Sequence, residues 1–343
     1  MKRIAIVILN WNGLNHLKEF LPSVVKNSRV DDFAVEVIVA DNGSTDGSVE
    51  WLQSLSKSIR LIHFDQNYGF TGGYNKALKQ VESDYYVILN SDVEVSQGWL
   101  APLAHFMEQN TKAAACMPKL NCYANPSLFE YAGAAGGYID FLGYPFCRGR
   151  MLNVIEEDKG QYNSVKEIFW ATGACMMVRS ADFWNVGAFD EDFFAHMEEI
   201  DLCWRFKRSG KSVWCIPQSS VLHVGGGTLA TNNPRKVYFN HRNNLLMLLK
   251  NLSRPSLIPV MLTRLLLDYA AAIGYLLTGK PKFTWSVFKA HYYFFCKCFS
   301  MIKKRRMFKH PKLKLYPTSI ILQFFLFRRK KFSALPRLGY FSE

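Results

Sequence analysis

The sequence predicts an α/β fold, a mostly parallel sheet flanked by helices, and three observations predict it. Short uninterrupted apolar runs alternate with segments of helical periodicity through the first hundred residues, the pattern of βαβ units joined by right-handed crossovers. Those runs lack the polar alternation of a half-exposed strand, so they read as strands buried on both faces. Three of them end in Asn or Asp: residues 3–9 before Asn10, 35–40 before Asp41, and 85–89 before Asn90-Ser91-Asp92. In open α/β sheets the carboxyl edge is where ligands bind.

Taken in order, the first strand runs into Asn10-Trp11-Asn12-Gly13, whose Asn-Gly step supplies a turn. Leu14, Leu17, Leu21 and Val24 then recur at helical spacing. The second strand delivers Asp41, and Asn42-Gly43-Ser44-Thr45-Asp46-Gly47 offers hydroxyl and carboxylate caps to a helix over 48–55. A third strand, 59–64, leads into Asn67-Tyr68-Gly69-Phe70-Thr71-Gly72-Gly73-Tyr74-Asn75 and another helix. After the fourth strand, period-two geometry puts Asn90, Asp92 and Glu94 on one side. A helix over 99–109 and a strand over 113–117 follow. The glycine- and aromatic-rich stretch 131–150 reads as loops over the cleft, and 169–178 as a buried strand with Trp170, Thr172 and Gly173 near its start. In the next helix Ile200, Cys203 and Trp204 share an apolar face, Asp201 and Arg205 form an (i, i+4) pair, and Glu198 and Glu199 sit in the first turn. A strand over 212–216 precedes His223 and Gly225-Gly226-Gly227.

Several of these residues carry two readings. A divalent cation holding a diphosphate wants one or two carboxylates, which residues 90–94 could supply; a strand followed by a polar turn explains them equally well. Asp41 caps a helix or accepts the N3–H of a uracil or thymine base, and its company at the sheet edge favours the base. Gly69, Gly72 and Gly73 let a loop approach a diphosphate. There is neither a GxxxxGK[ST] loop nor a GxGxxG after the first strand, so a nucleotide must be held differently. Glu198 and Glu199 read most plainly as a solvated acidic helix start. His223 reads as a core histidine, while its glycines and neutral imidazole leave metal ligation open.

Composition narrows the class. Apolar residues at 49% supply a sizeable core, which argues against disorder. Eight cysteines contain no CxxC pair, the nearest spacing being Cys296-Lys297-Cys298; reduced thiols in a cytosolic compartment are expected rather than structural zinc. The apolar run at 4–9 is too short for a signal peptide. Charge is segregated: residues 253–343 hold 18 Lys and Arg against 2 Asp and Glu, leaving 24 against 26 in residues 1–252. A near-neutral body with a basic tail opposes nucleic acid as partner.

The chain therefore divides at 1–252 and 253–343. In the tail, residues 257–277 are apolar but interrupted by Arg264 and Asp268, and no unbroken run reaches the ~18 residues of a spanning helix. Aromatic-rich segments at 283–302 and 315–327 precede Lys303-Lys304-Arg305-Arg306 and Arg328-Arg329-Lys330-Lys331. Helices lying on an anionic membrane surface are expected; a packed appendage or a homo-oligomer surface is the competing reading.

Five motifs in order, Asn10-Trp11-Asn12-Gly13, Asp41-Asn42-Gly43-Ser44-Thr45-Asp46, residues 67–75, Asn90-Ser91-Asp92, and Glu198-Glu199-Ile200-Asp201-Leu202 with Arg205, resemble the family-2 glycosyltransferases of the Rossmann-like GT-A fold. The bacterial rhamnosyltransferase-like members that build surface polysaccharides are the nearest in kind, and the resemblance covers about residues 1–250. It implies an inverting transfer from a nucleotide-diphosphate sugar, with dTDP-rhamnose or a UDP-sugar favoured, to a polyprenyl-diphosphate-linked glycan at the inner face of the plasma membrane. By resemblance Asp41 binds the base, with Asn10, Asn12, Asn67, Gly69, Gly72, Asn75 and Asn90 as further donor contacts. Asp92 stands at the metal end of a reduced DXD motif, His223 is a second ligand, and Mg²⁺ or Mn²⁺ is the cofactor. Glu199 is the general base, where the family usually has Asp. Trp170, Thr172, Gly173, Glu198, Asp201, Arg205 and Arg242 are acceptor-side or supporting residues, Arg242-Asn243 matching a family Arg-Asn. Two rivals are a non-catalytic nucleotide-sugar-binding scaffold and a sugar-nucleotide pyrophosphorylase, whose glycine- and arginine-rich signature after the first strand is not found.

Overall fold

Four parallel strands realise the apolar runs: β1 (Lys2–Asn10), β2 (Phe33–Asp41), β3 (Arg60–His63) and β4 (Tyr85–Asn90). The computed structural model describes residues 1–343 apart from 56, 226–232, 307–310, 312 and 342–343, so Gly226 and Gly227 lie outside the described residues. Register aligns the strand ends, pairing Asn10 with Asp41, Asp41 with His63, and Leu9 with Asn90. The polar residues expected at a ligand edge thus stand side by side. Ile6, Val7, Ile38, Val39, Val87 and Ile88 are closed to solvent, and each such side chain contributes about 1.5–3 kcal/mol on burial.

The crossovers are α1 (Leu14–Asn27), α2 (Ser48–Ser54) and α3 (Gly69–Leu78). Helix α1 buries Leu17, Leu21 and Val24, the face its spacing predicts. Beyond β4 come β5 (Val93–Val95), α4 (Leu100–Gln109), β6 (Ala113–Cys122) and β7 (Asn125–Phe129). A separate antiparallel sheet of β8 (Gly137–Ile139), β9 (Pro145–Cys147), β10 (Arg150–Met151) and β11 (Val154–Ile155) replaces the loops expected over 131–150. Strands of two or three residues show no period of their own. The main sheet is completed by β12 (Lys166–Ile168), β13 (Cys175–Arg179) and β14 (Ser212–His223), in the order β12-β14-β6-β13-β4-β1-β2-β3.

Two expectations change here. The strand anticipated over 169–178 is confined to β13, because Thr172 Oγ1 accepts from Ala174 N–H at 3.2 Å and the chain turns before pairing. Moreover β13 runs antiparallel to both β4 and β6, so a reversed strand lies inside the parallel sheet, and β12, β5 and β7 also pair antiparallel. The last strand, in turn, continues past 216 through a bulge to His223, and β5 pairs with its end, Val93 opposite His223.

Helices α5 (Ser180–Asn185) and α6 (Glu198–Arg208) precede β14. Then follow α7 (Pro234–Asn251), α8 (Arg254–Leu277), α9 (Pro281–Arg306) and α10 (Ile320–Phe325); the last is shorter than the 315–327 expected. On α8, Arg264 pairs with Asp268 at 3.4 Å, and Asp268 also meets His241 at 3.1 Å and His291 at 3.2 Å, all inside the helical layer. The opposite sides stay open: Ile258, Leu262, Leu266, Tyr269 and Ile273 on α8, and Trp285, Phe288, Tyr292, Phe295 and Phe299 on α9. Steps of three and four make each set one helix face. By length and composition α8 is apolar enough to cross a membrane, at mean hydropathy 1.5. On both sides of α10 the chain meets the small sheet and its flank: before it Tyr316 N–H donates to Ile139 O at 3.0 Å, and after it Phe332 N–H donates to Glu156 Oε1 at 2.9 Å.

Candidate active site

The loops after β1 and β2 are laced together before any ligand arrives. Asn10 Nδ2 donates to Asp41 Oδ1 at 2.9 Å and to Ser44 Oγ at 3.2 Å. Asp41 Oδ2 accepts from Ser44 N–H at 2.9 Å and lies 3.3 Å from His63 Nδ1. Asp41 is closed to solvent, so its carboxylate shapes this turn as a cap would, with lone-pair capacity left for one further donor. Asn12 adopts the left-handed region, φ 52°, where Asn is tolerated; its Oδ1 accepts from Thr45 N–H at 2.8 Å. Beside it an open cavity is lined by Asn12, Gly13, Leu14, Asn15, His16 and Asp46.

The third loop is built by the same means. Asn67 Oδ1 accepts from Gly69 N–H at 2.7 Å and from Asn42 Nδ2 at 3.0 Å. Gly69 has φ 73°, and a Cβ there would stand 2.5 Å from the Phe194 ring, so the glycine lets two loops touch. A Cβ on Gly72 would meet Tyr68 at 3.2 Å. Asn75 ties α3 to a distant turn, donating to Phe189 O at 2.9 Å and accepting Phe189 N–H at 3.1 Å. Asn67 and Asn75 therefore act through the loops they hold.

Where β4 ends, Asp92 Oδ1 lies 3.1 Å from His223 Nε2, and Asn90 Nδ2 lies 3.5 Å from the same nitrogen. The pairing of β5 with β14 brings these residues together across 131 positions of sequence. Burial opposes the Asp92 charge and is the largest single influence, but the His223 hydrogen bond and charge, with the His16 charge, together outweigh it and hold the carboxyl below its usual range. Burial likewise works against protonated His223; Asp92 and Glu130 outweigh that and raise it to about 10. Glu130 was not anticipated. It follows β7, is 3% exposed, and its Oε1 lies 3.3 Å from His223 Nδ1. A single acid in an aromatic stretch carried no signal of this. No group of three or more His, Cys, Asp or Glu side chains converges as a metal cage among the described residues. One carboxylate, one imidazole and an amide oxygen nevertheless suit a divalent ion whose other ligands are phosphate oxygens and water. Glu130 on the far nitrogen would fix the ring.

Glu198 and Glu199 open α6, after a turn in which Phe194, His196 and Met197 have φ of 63°, 70° and 68°. Such backbone costs about 1–3 kcal/mol per residue and persists only when the surroundings impose it. Asn243 Nδ2 donates to the carbonyls of Phe193, Ala195 and His196 at 3.0, 2.7 and 2.7 Å, and Arg242 reaches Phe193 O at 2.6 Å. Burial pushes the Glu199 carboxyl up to about 7. Glu198, 5% exposed, is driven well above its usual range by burial and then by the Glu199 charge. One oxygen of each has no partner among the described residues. Both carboxyls are buried rather than solvated, against the plain reading of the pair.

Among the supporting residues, Asp201 pairs with Arg205 at 2.8 Å, as the (i, i+4) spacing predicts, and adds Lys250 at 2.9 Å and Asn251 at 2.6 Å. Trp170 Nε1 donates to Tyr138 O at 2.8 Å, and a Cβ on Gly137 would stand 2.0 Å from its ring. A Cβ on Gly173 would meet Phe70 at 3.0 Å. Trp170 is thus tied to β8, and Gly173 lies against α3.

The sequence profile described as Glycosyl transferase family 2 matches residues 5–187. The N-acetylglucosaminyl-diphospho-decaprenol L-rhamnosyltransferase of Mycobacterium tuberculosis is 25% identical over 263 residues, covering 71% of this chain and 83% of that protein. Rhamnosyltransferase WbbL of Escherichia coli K12 is 25% identical over 228 residues, covering 64% and 83%. Among solved structures, GalNAc-T7 with UDP, GalNAc and Mn²⁺ superposes with a TM-score of 0.58 at 14% identity, covering 74% of this chain and 49% of that one. At that identity the likeness speaks for the fold, which is the GT-A arrangement expected from the sequence.

Proposed function

The chain belongs to glycosyl transferase family 2, and on that premise we propose that it moves a sugar, with inversion, from a nucleotide-diphosphate donor to a hydroxyl of a polyprenyl-diphosphate-linked glycan in cell-surface polysaccharide synthesis. The names of its relatives support rhamnose as the sugar and a lipid-linked acceptor. The observation that carries the chemistry is a buried carboxyl poised near neutrality, Glu199, in a fold whose strand ends gather Asn10, Asn12, Asp41, Asn90 and Asp92.

In this reading the base rests against Asp41, and the donor lies along Asn10, Asn12 and Asn90. Asn67, Gly69, Gly72 and Asn75 hold the loop that closes on it. Asp92 and His223 would hold Mg²⁺ or Mn²⁺, with Glu130 steadying the imidazole; when bound, the ion offsets charge on the leaving diphosphate. Glu199 takes the proton of the acceptor hydroxyl. That oxygen bonds to the anomeric carbon, whose bond to the phosphate oxygen breaks, and the nucleoside diphosphate departs with the electron pair. Glu198, held protonated, can donate a hydrogen bond to the acceptor. The exposed apolar faces of α8 and α9, with the basic residues around them, would seat the enzyme peripherally on the anionic inner face of the plasma membrane.

The test is a panel of UDP-, dTDP- and GDP-sugars with purified protein and Mg²⁺ or Mn²⁺. Turnover of one donor, raised by a lipid-linked N-acetylglucosamine acceptor, is expected. No turnover of any donor with acceptor present would overturn the reading in favour of a binding scaffold.

A further inference from the structure

A pair of cations near the site has no task in this chemistry. Arg150, on β10, is 7% exposed, yet no carboxylate pairs with it among the described residues. Of its five N–H donors, one reaches Leu152 O at 3.1 Å and another the Cys147 sulfur, a weak acceptor, at 3.4 Å. Its Nε is buried without a partner among the described residues. The guanidinium stands 4.6 Å from the centre of the Tyr131 ring, and Lys236 Nζ stands 5.7 Å from the same ring.

Tyr131 is 43% exposed, so the two cations stand by a ring that opens to solvent. Glu130, whose charge both cations feel, is already engaged with His223. His196 feels Lys236 in turn; burial and then that charge lower it to about 4, leaving it neutral. The Cys147 thiol, in contact with Arg150, feels both Glu130 and Glu199. Arg150 is thus tied through Cys147 to the small sheet, and both cations stand by the ring next to Glu130, which itself meets His223. Burying a guanidinium without a counter-charge is expensive, and the cost falls when an anion arrives. A planar fork with free donors suits a phosphate.

We propose that Arg150 and Lys236, both beside the Tyr131 ring, form a subsite for a diphosphate group. The assignment rests on the reading that donor and acceptor both carry a diphosphate, and either can supply it.

Inorganic pyrophosphate is titrated into the full chain in EDTA by calorimetry. Arg150→Gln and Lys236→Gln should each weaken binding at least tenfold, and Lys236→Arg should keep most of it. Lys236 is only half-buried, so its variants remain informative if Arg150→Gln fails to fold. Displacement by UDP or dTDP assigns the subsite to the donor. Displacement by farnesyl diphosphate but by neither nucleotide assigns it to the acceptor. No wild-type binding, or affinity unchanged in Lys236→Gln and in a folded Arg150→Gln, overturns the proposal. Donor turnover by the wild-type protein is read separately, so transfer can stand while the subsite falls.

Discussion

Glu199 holds its proton to about pH 7 because burial disfavours the anion, which is where a general base is most effective. Turnover should therefore fall as pH drops through about 7, when the base becomes protonated. Glu199→Gln should bind donor normally while kcat falls by roughly 10²-fold or more; Glu199→Asp should keep substantial activity, and Glu198→Gln should be milder. Calorimetry and steady-state kinetics together check this, and near-normal kcat in Glu199→Gln would reverse the assignment. Stability gives an independent reading. The folded state binds this proton more tightly than the unfolded chain, so wild type loses stability as pH rises from 4.5 to about 7. The Tm of Glu199→Gln relative to wild type should thus climb over that window. At this scale the sequence marked Glu199, Asp92 and His223 through motif and position. It could not mark Glu130, whose meaning depends on which imidazole nitrogen it meets.

At the scale of elements, the turn from Phe194 to Met197 is where local preference yields to tertiary contacts. Nothing in Phe-Ala-His-Met requests positive φ; Asn243 imposes it through three carbonyls. Asn243→Ala should cost roughly 2–4 kcal/mol, through lost hydrogen bonds and stranded carbonyls. It should also lower kcat more than donor affinity, because the turn aims Glu199. Thermal unfolding and kinetics test this, and a lower Tm with wild-type kcat would make the turn merely structural. The strands β1 to β4 were legible because each is a pure apolar run ended by a polar residue. The reversal of β13 was not, since an apolar run carries no direction. The strands β8 to β11 are too short to hold a pattern, and their positions follow from glycines and from the aromatic cluster of Tyr138, Phe146, Tyr316 and Phe332.

For the whole molecule, the segregated charge is visible in composition, but its use is not. Lys304 bridges Asp190 and Asp192, Lys297 lies 3.2 Å from Asp192, and Arg305 donates to Leu249 O at 3.0 Å. Part of the basic tail therefore faces inward and binds the segment just before the turn from Phe194 to Met197. Lys303, Arg306, Arg328, Lys330 and Lys331 remain exposed, beside the open apolar faces. The full chain should bind vesicles containing anionic lipid and release them as salt rises and screening shortens the reach of these charges. Leu266→Glu with Phe299→Glu should weaken binding while leaving Tm nearly unchanged. Co-sedimentation reads both effects, and indifference to anionic lipid at low salt would remove the membrane from the account.

Helix α9 joins these two ends of the protein. It is 26 residues long, about 39 Å at 1.5 Å per residue, with its aromatic row turned outward and its lysines fastened to Asp190 and Asp192. Lys297 and Lys304 fasten one side of the helix while the aromatic row opens on another, so a helix laid along lipid by that row would hold Glu199 at a set height above the headgroups. An acceptor would then have to raise its hydroxyl to that height, and we expect the number of sugars already on the carrier, as well as their identity, to govern which glycan is extended.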